Sequence, residues 1–599
     1  MLDKFGVARA LREIGALLEL EGENPFKVRA YENGARAVEG VAEDLGALVD
    51  ADRLLEVKGI GEALARKIAD LHRTGTTEVL ERLHERHPPG TLELVQVPDL
   101  GPKKAAALQA ALGIRGIADL ERACLEGRVR GVKGFGEKTE AHILEGVRRL
   151  RARAAERRVL LVEALAEAEP LLAHLRNDPA AVRVELAGSA RRMRETVADL
   201  DIVSASHDPA ALSARLVAYP LVAETLARGG TKTTVRLASG LQVDLRIVPA
   251  EDFATALHHL TGSKAHHVRL RGLAQERGFT LSEWGLYRLP ARAGEVPAAD
   301  GAPDAAPDPP GDPAAKVAIP SERALYETLG LPFVPPELRE DQGELEAARA
   351  GTLPDDLVAL EHVRGLVHCH TTWSDGRASV EEMARAAIAR GYDYIAICDH
   401  TPAVGAVPGL TADDVRRQGE EIAAANELLA PFRVLRGIEC DILADGRLDL
   451  PDEVLAQLDW VQASVHGGQR MPRREMTKRV EEALRNPSVR CLSHPTGRLI
   501  NRRPENALDL ERVFEPAVEE GVALEVNGLP ARLDLRGEHV RDALRAGVHV
   551  VCSTDAHSVP GLANMALSVH TARRGWATPA DVVNTRPLRS ILEGRRAGR

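Results

Sequence analysis

No uninterrupted apolar run in this 599-residue chain approaches the ~18 residues that a membrane-crossing helix needs, so no transmembrane span and no membrane partner are expected. Cysteine is sparse. The six present include no Cys-x-x-Cys pair, which excludes a disulfide framework and makes a reducing cytoplasm the expected compartment. The opening stretch, MLDKFGVARALREIGALLELEG, mixes charge into helical apolar spacing and has no signal-peptide core. Strong positive charge is also missing. The chain totals −11, with 23 Lys and Arg against 25 Asp and Glu in residues 1–150 and 19 against 16 in residues 151–290. Any nucleic-acid binding must therefore use local geometry instead of a bulk positive field.

What is present is a soluble, globular composition, 44% apolar and 28% charged. The length exceeds one hydrophobic core, and roughly three to five domains are expected. Residues 1–150 are helical in pattern and repeat one grammar three times, in LLEVKGIGEALARKIADL, LVQVPDLGPKKAAALQAAL and VRGVKGFGEKTEAHILEGV. Each is a helix end, a tight glycine turn and a second helix. Residues 151–290 mix helices with period-two strands such as VRVELAG and LQVDLRIVP. Residues 291–315 are almost wholly Ala, Pro, Asp and Gly, a composition that builds no core and reads as a flexible insertion. From about 361, seven short apolar strands alternate with amphipathic helices, which predicts parallel strands and favours a barrel over an open sheet.

The glycine turns carry the first functional signal. In Gly59-Ile60-Gly61 and Gly134-Phe135-Gly136, glycine permits positive φ, and the turn can present free N–H groups at the start of the next helix. Such a unit grips a DNA phosphate without reading sequence. A single copy reads equally as a helix–turn–helix corner; repetition favours DNA. The middle copy, Asp99-Leu100-Gly101, lacks the first glycine. These hairpins resemble the helix-hairpin-helix motif.

ELAGSARRMRETVADLDIV carries the second. Asp199 and Asp201 lie two apart on a predicted strand and project from one face, and Asp244 lies opposite Val243 and Leu245 in LQVDLRIVP. Three converging carboxylates suit two Mg²⁺ or Mn²⁺ ions about 3.5–4 Å apart, the arrangement for in-line phosphoryl transfer. Gly188-Ser189 offers a phosphate seat where a strand turns into a helix, and Arg192 a fork-shaped donor. The plain alternative for Asp-x-Asp alone is a solvent-facing strand.

The order GS-x-RR, Asp-x-Asp, a single Asp, then Thr261-Gly262-Ser263 resembles the palm and thumb of a family X DNA polymerase across most of residues 1–290. That resemblance implies addition of dNTPs to a primer 3′-OH in gapped or nicked DNA. Asp199 and Asp201 would bind both metals, and Asp244 would help deprotonate the 3′-OH. Ser189 and Arg192 would hold the triphosphate, and the Thr261–Ser263 turn would pass close to its sugar. His267 stands where the family commonly has an Asn that touches the nascent base pair. The first hairpin resembles the family's lyase domain, with Lys67 at the Schiff-base position and Lys27 and Tyr31 at phosphate-pocket positions. The alternative for Lys67 is a simple backbone contact with DNA.

The third signal is a set of nine groups: His368, His370, Asp375, His400, Glu439, His466, His494, Asp555 and His557. Each falls at or just beyond a predicted strand end, and in a parallel barrel all strand C-termini open on one face. Imidazoles mixed with carboxylates fit Zn²⁺ or Mn²⁺ better than Mg²⁺, and nine ligands suit two or three ions. Cys369, Cys398, Cys491 and Cys552 read as packing residues. The segments HCHTTWSDG, CDHT, GIECDI, SVHGG, SHPTGR and STDAH resemble the polymerase and histidinol phosphatase (PHP) domain over about 361–580, which implies metal-dependent phosphoester hydrolysis, typically 3′→5′ exonuclease action. Arg498 could reach a phosphate or lie on a helix surface.

The expected organisation is therefore multidomain: a lyase-like helix-hairpin-helix domain at 1–85, fingers at 86–150, an α+β palm at 151–250, a thumb at 251–340, a linker at 341–360 and a distorted (β/α)7 PHP barrel at 361–599. A monomeric gap-filling repair polymerase with a 3′→5′ exonuclease is the leading expectation. The alternatives are a metal-dependent phosphoesterase tethered to DNA by a non-catalytic N-terminal half, and a non-enzymatic DNA-end scaffold.

Overall fold

The computed structural model describes residues 2, 4–39, 45–57, 59–87, 91–95, 97, 100–155, 158–289 and 313–593. Asp99 and nearly all of the 291–315 insertion lie outside them; only Pro313–Ala315, a single 3-10 turn, falls inside. No helix among the described residues is long and apolar enough to cross a membrane. The chain forms two compact units, Met1–Arg157 and Arg158–Arg599.

The described residues of the first unit form only helices and turns, around two separate cores. One packs Val7, Leu11, Ile14, Leu18, Ile68 and Leu83; the other packs Leu94, Leu108, Leu120, Ile143 and Val147. In each glycine turn the middle residue plugs the local core: Ile60, Leu100 and Phe135 are all buried. Their amides close the same short turn, donating to Val57 O, Val97 O and Val132 O at 3.0, 3.0 and 2.9 Å.

The second unit opens with a five-stranded sheet, β1 (Ala181–Leu186), β2 (Asp199–Ser206), β3 (Val222–Arg228), β4 (Lys232–Leu237) and β5 (Gln242–Val248), in the order β1-β2-β5-β4-β3. Only the β2–β5 pair is parallel. Leu200, Ile202, Val243, Leu245 and Ile247 all point into the core beneath the sheet. Beyond it, helices Phe253–Thr261 and Lys264–Glu276 and a three-stranded sheet build the thumb. The thumb core continues through Leu345, Ala348 and Leu357. The expected linker at 341–360 is thus corrected: its helix Glu344–Ala350 is part of the thumb, because Leu345 and Ala348 supply apolar surface the thumb buries.

Seven parallel strands follow in chain order, β6 (Gly365–Cys369), β7 (Tyr394–Ile397), β8 (Arg433–Asp441), β9 (Trp460–Ser464), β10 (Cys491–Leu492), β11 (Ala523–Asn527) and β12 (Val550–Ser553). A bridge between Cys369 and Ala556 nearly closes them into a barrel. Side chains on one face, among them Ile397, Val434, Ile438, Val461 and Leu524, pack under the surrounding helices. Those on the other, Val367, Ala396, Leu435, Trp460, Cys491, Ala523 and Val551, fill the interior together with Ile591 of the C-terminal helix Leu588–Glu593. Further along each strand the inward positions turn polar: Glu439, Gln462, Ser493, Glu525 and Ser553, all buried. The barrel is packed at one end and carries chemistry at the other. All six cysteines are buried and free.

Candidate active sites and nucleic-acid interface

Asp201 and Asp244 are direct partners in the parallel β2–β5 register, with Asp199 one pleat away opposite Gln242. Burial, then the charges of Asp199 and Asp244, push Asp201 up to about 7; burial, then Asp244, raises Asp199. Asp244 is held in place by the Thr234 hydroxyl at 2.6 Å and by Lys232 at 3.4 Å. The burial and neighbouring charge that raise Asp201 and Asp199 suit a divalent cation, since a hard positive charge relieves both desolvation and repulsion.

Gly188 takes a φ of 61° against this acid group. A Cβ there would lie 2.0 Å from Asp201 Oδ2, so only glycine fits. The short helix Gly188–Arg191 carries Ser189, and Arg191 and Arg192 reach the thumb. Arg191 donates to the Thr261 hydroxyl at 2.6 Å and Arg192 to the Thr261 carbonyl at 2.5 Å, while Gly262 turns with φ 65°. Ser263 caps helix Lys264–Glu276 through His266 N–H at 3.2 Å. The Gly188–Arg192 and Thr261–Ser263 segments are therefore brought together. Arg192 is more engaged than its sequence suggests, because its Nε donates to Glu340 at 3.0 Å. His267 is buried, its ring 3.1 Å from His259 Nδ1, and burial holds it well below the usual imidazole range.

In the first unit, Gly59 and Gly134 take φ values of 95° and 94°, and Gly61, Gly101 and Gly136 immediately precede helices. Among the described residues, and the flanking ones apart, no heavy atom lies within 4 Å of where a Cβ would sit at Gly61, Gly101, Gly134 or Gly136. These turns present bare backbone at helix starts. Lys27 pairs with Glu23 at 2.7 Å, Tyr31 is buried, and Lys67 donates to the Ala63 carbonyl at 2.9 Å.

All nine barrel groups converge, and Glu439 is their centre. Its Oε2 lies 2.9, 3.4 and 3.7 Å from His400, His368 and His370; its Oε1 lies 2.9 and 3.6 Å from His494 and His466. Asp555 Oδ1 approaches His370 at 3.2 Å and His368 at 3.6 Å. Asp375 meets His557 at 3.3 Å and His400 at 3.6 Å. Three overlapping sets have the spacing of a metal site: His370, Asp375, His400 and His557; His368, His370 and Asp555; and His400, Glu439 and His466. His368 Nε2, both ring nitrogens of His370, and Glu439 Oε2 are buried without a hydrogen-bond partner, as metal ligands are.

The local backbone is shaped for this. A register shift in β6 between Leu366 and Cys369, with His368 at φ 62°, turns Val367 and His368 both inward and sends Cys369 to the outer core. His494 and Asp555 also take positive φ, 25° and 49°. Strain of this kind collects where the surroundings over-determine a functional residue.

Several residues escaped the sequence reading. Glu525 accepts from His368 Nδ1 at 2.5 Å and thereby turns Nε2 toward Glu439. Gln462 and Ser493 complete that polar layer. Asp399 accepts from Thr371, Ser374 and Gln418, fixing the loop that carries Asp375. Polar residues at inward strand positions, as in VALEVNG and WVQASVH, were the available signal. Arg498 requires correction. It is buried and forks onto Glu195 at 3.0 and 2.7 Å, joining barrel to palm, so its planar donor pair is already used and is not free for a phosphate.

A parallel-register acid triad beside a glycine turn, preceded by hairpin-bearing helices and followed by a barrel with clustered His, Asp and Glu of metal-site spacing, defines a nucleotidyltransferase joined to a phosphoesterase-type barrel. Family models agree segment by segment: a helix-hairpin-helix domain over residues 4–77, a SAM-like helix-hairpin-helix tandem over 91–149, a DNA polymerase beta thumb over 256–340 and a PHP domain over 367–528. The chain is 38% identical over 592 residues to the DNA polymerase/3'-5' exonuclease PolX of Bacillus subtilis, covering 98% of this chain and 99% of that one. The chain is also 34% identical over 200 residues to a probable phosphatase of Acetivibrio thermocellus, covering 32% of this chain and 78% of that protein. The chain belongs to the family X DNA polymerases that carry a C-terminal PHP domain.

Proposed function

We propose that this protein is a DNA-repair polymerase that adds dNTPs to the 3′-OH in short gaps, with a 3′→5′ exonuclease and 3′-end phosphoesterase in its barrel. The observation that supports this reading is that one compact unit gathers both groups of side chains, the acids Asp199, Asp201 and Asp244 and the nine groups around Glu439.

In the palm, Asp199 and Asp201 would hold Mg²⁺ or Mn²⁺, and Asp244 would take the primer hydroxyl proton. Ser189 and Arg192 would position the triphosphate and the Thr261–Ser263 turn its sugar. In the barrel, two or three Mn²⁺ or Zn²⁺ ions would be held by the nine groups, with Glu439 central among them. Bound metals supply Lewis acidity and, in the barrel, a more acidic water. Glu525 keeps His368 oriented, and Asp399 keeps the Asp375 loop closed. The glycine turns at Gly59, Gly61, Gly101, Gly134 and Gly136 would grip backbone phosphates of gapped or nicked DNA through their amides.

The test is a gapped duplex assayed for extension and for 3′ degradation. Asp201→Ala should lose extension alone and His368→Ala degradation alone. If the parent degrades but never extends, the N-terminal half is a tether and the phosphoesterase alternative holds.

A further inference from the structure

Arg532 lies in the loop after β11, on the same barrel end as the nine groups. Its Nε is 3.4 Å from Asp555 Oδ2, while Asp555 Oδ1 faces His368 and His370. Among the described residues, it is the single Lys or Arg that pairs with any carboxylate of the cluster. The guanidinium is largely buried, with a side chain 14% exposed, and its Nε has no hydrogen-bond partner. The one carboxylate beside it, Asp555, pairs with Nε without accepting a hydrogen bond, so a second anion in bonding geometry would offset the cost of burying this charge.

Asp555 does not need Arg532 as its orienting partner, since Asn527 already donates to the same Oδ2 at 3.1 Å. The loop, in contrast, is held stiffly. Arg532 N–H donates to Leu529 O at 2.8 Å, and its own carbonyl accepts from Arg498 at 2.9 Å, with Arg498 itself fastened to Glu195. Backbone bonds Asn527 to Asp534 and Leu535 to Glu525, at 2.6 and 2.9 Å, tie the loop back to β11. A fork-shaped donor is thereby carried on a fixed backbone beside the nine groups, with its buried Nε–H unbonded among the described residues.

We propose that Arg532 is a substrate-contacting residue of the barrel, donating to the non-bridging oxygens of the phosphate under attack at a DNA 3′ end. This rests on the phosphoesterase reading of the barrel. The rival role is a positioning one, in which Arg532 merely steadies Asp555 and so retains metal.

The experiment uses the full chain in an Asp201→Ala background, which removes metal-held anions from the palm. Inorganic phosphate is titrated calorimetrically into manganese-loaded protein, alongside metal analysis, a thermal melt and 3′-degradation kinetics. Arg532→Ala should weaken phosphate binding by roughly 10- to 100-fold, the worth of a charge-assisted fork. Metal content and melting should stay at the parent value, and Arg532→Lys should recover part of the loss. Unchanged phosphate affinity, or a loss that follows metal content, overturns the proposal. A parent that binds phosphate through Arg532 yet degrades no 3′ end sinks the exonuclease reading and leaves the contact standing.

Discussion

Arg498 and Glu195, 303 residues apart, form a two-pronged ion pair that fastens the barrel to the segment linking Gly188 with Asp199. Both partners are largely buried, so removing one leaves an uncompensated charge. Arg498→Ala should cost about 3 kcal/mol, read as a lower melting midpoint. It should lower incorporation more than metal content, because Glu195 shares its loop with Ser189 and Arg192. A charge-swapped pair, Arg498→Glu with Glu195→Arg, should recover part of the stability. An unchanged melting midpoint in the single variant would show the pair contributes nothing.

Asp201 is held up at about 7 by burial and by its two neighbours. A carboxyl whose folded value exceeds its unfolded one favours folding below the unfolded value, and that favour is lost as pH rises toward about 7. Metal-free protein should therefore be strained at pH 8. Asp201→Asn should raise the melting midpoint there by about 1–3 °C in EDTA while abolishing incorporation. A lower midpoint than the parent in EDTA would contradict this.

Burial lowers His557, but Asp375 and Asp555 outweigh it and bring the imidazole up to about 9; His400 is also raised, by Glu439 and Asp375 against burial. His557 is therefore protonated in the metal-free protein at pH 7.5, and a ligating imidazole must be neutral. Metal loading of the barrel should thus release at least one proton and weaken as pH falls from 9 to 6. Calorimetry in buffers of different ionisation enthalpy measures the release. Loading that is indifferent to pH would remove His557 from the ligand set.

Glu525→Gln keeps the shape of the side chain but removes the charge that His368 faces at 2.5 Å. Metal affinity at the barrel should fall roughly 10- to 100-fold, with 3′ degradation falling alongside and extension intact.

Lys67 is tested by borohydride. If it forms a Schiff base, reduction should trap the parent on an incised abasic site and fail to trap Lys67→Ala. Absence of a trapped parent would reduce Lys67 to a DNA contact.

Much was decided by local chemistry. Glycine alone tolerates the turns at Gly59 and Gly134, period two puts Asp199 and Asp201 on one face, and strand–helix alternation forces parallel strands with ligands at one end. Those features depend on neighbours a few residues away, so the sequence by itself determined the helical hairpins, the pairing of three acids on one sheet face, the gathering of nine polar groups at one barrel end and the seven-stranded barrel. The folded chain decided the rest. Nothing near Arg498 announces Glu195, and nothing near Arg192 announces Glu340, because ion pairs between distant segments leave no periodic trace. The shift that turns Val367 and His368 both inward breaks the alternation that sequence reading relies on. Helix Glu344–Ala350 joined the thumb because buried apolar surface, not chain position, sets a domain's edge. Glu525 and Arg532 acquired roles only when the barrel closed and brought their strand ends beside His368 and Asp555.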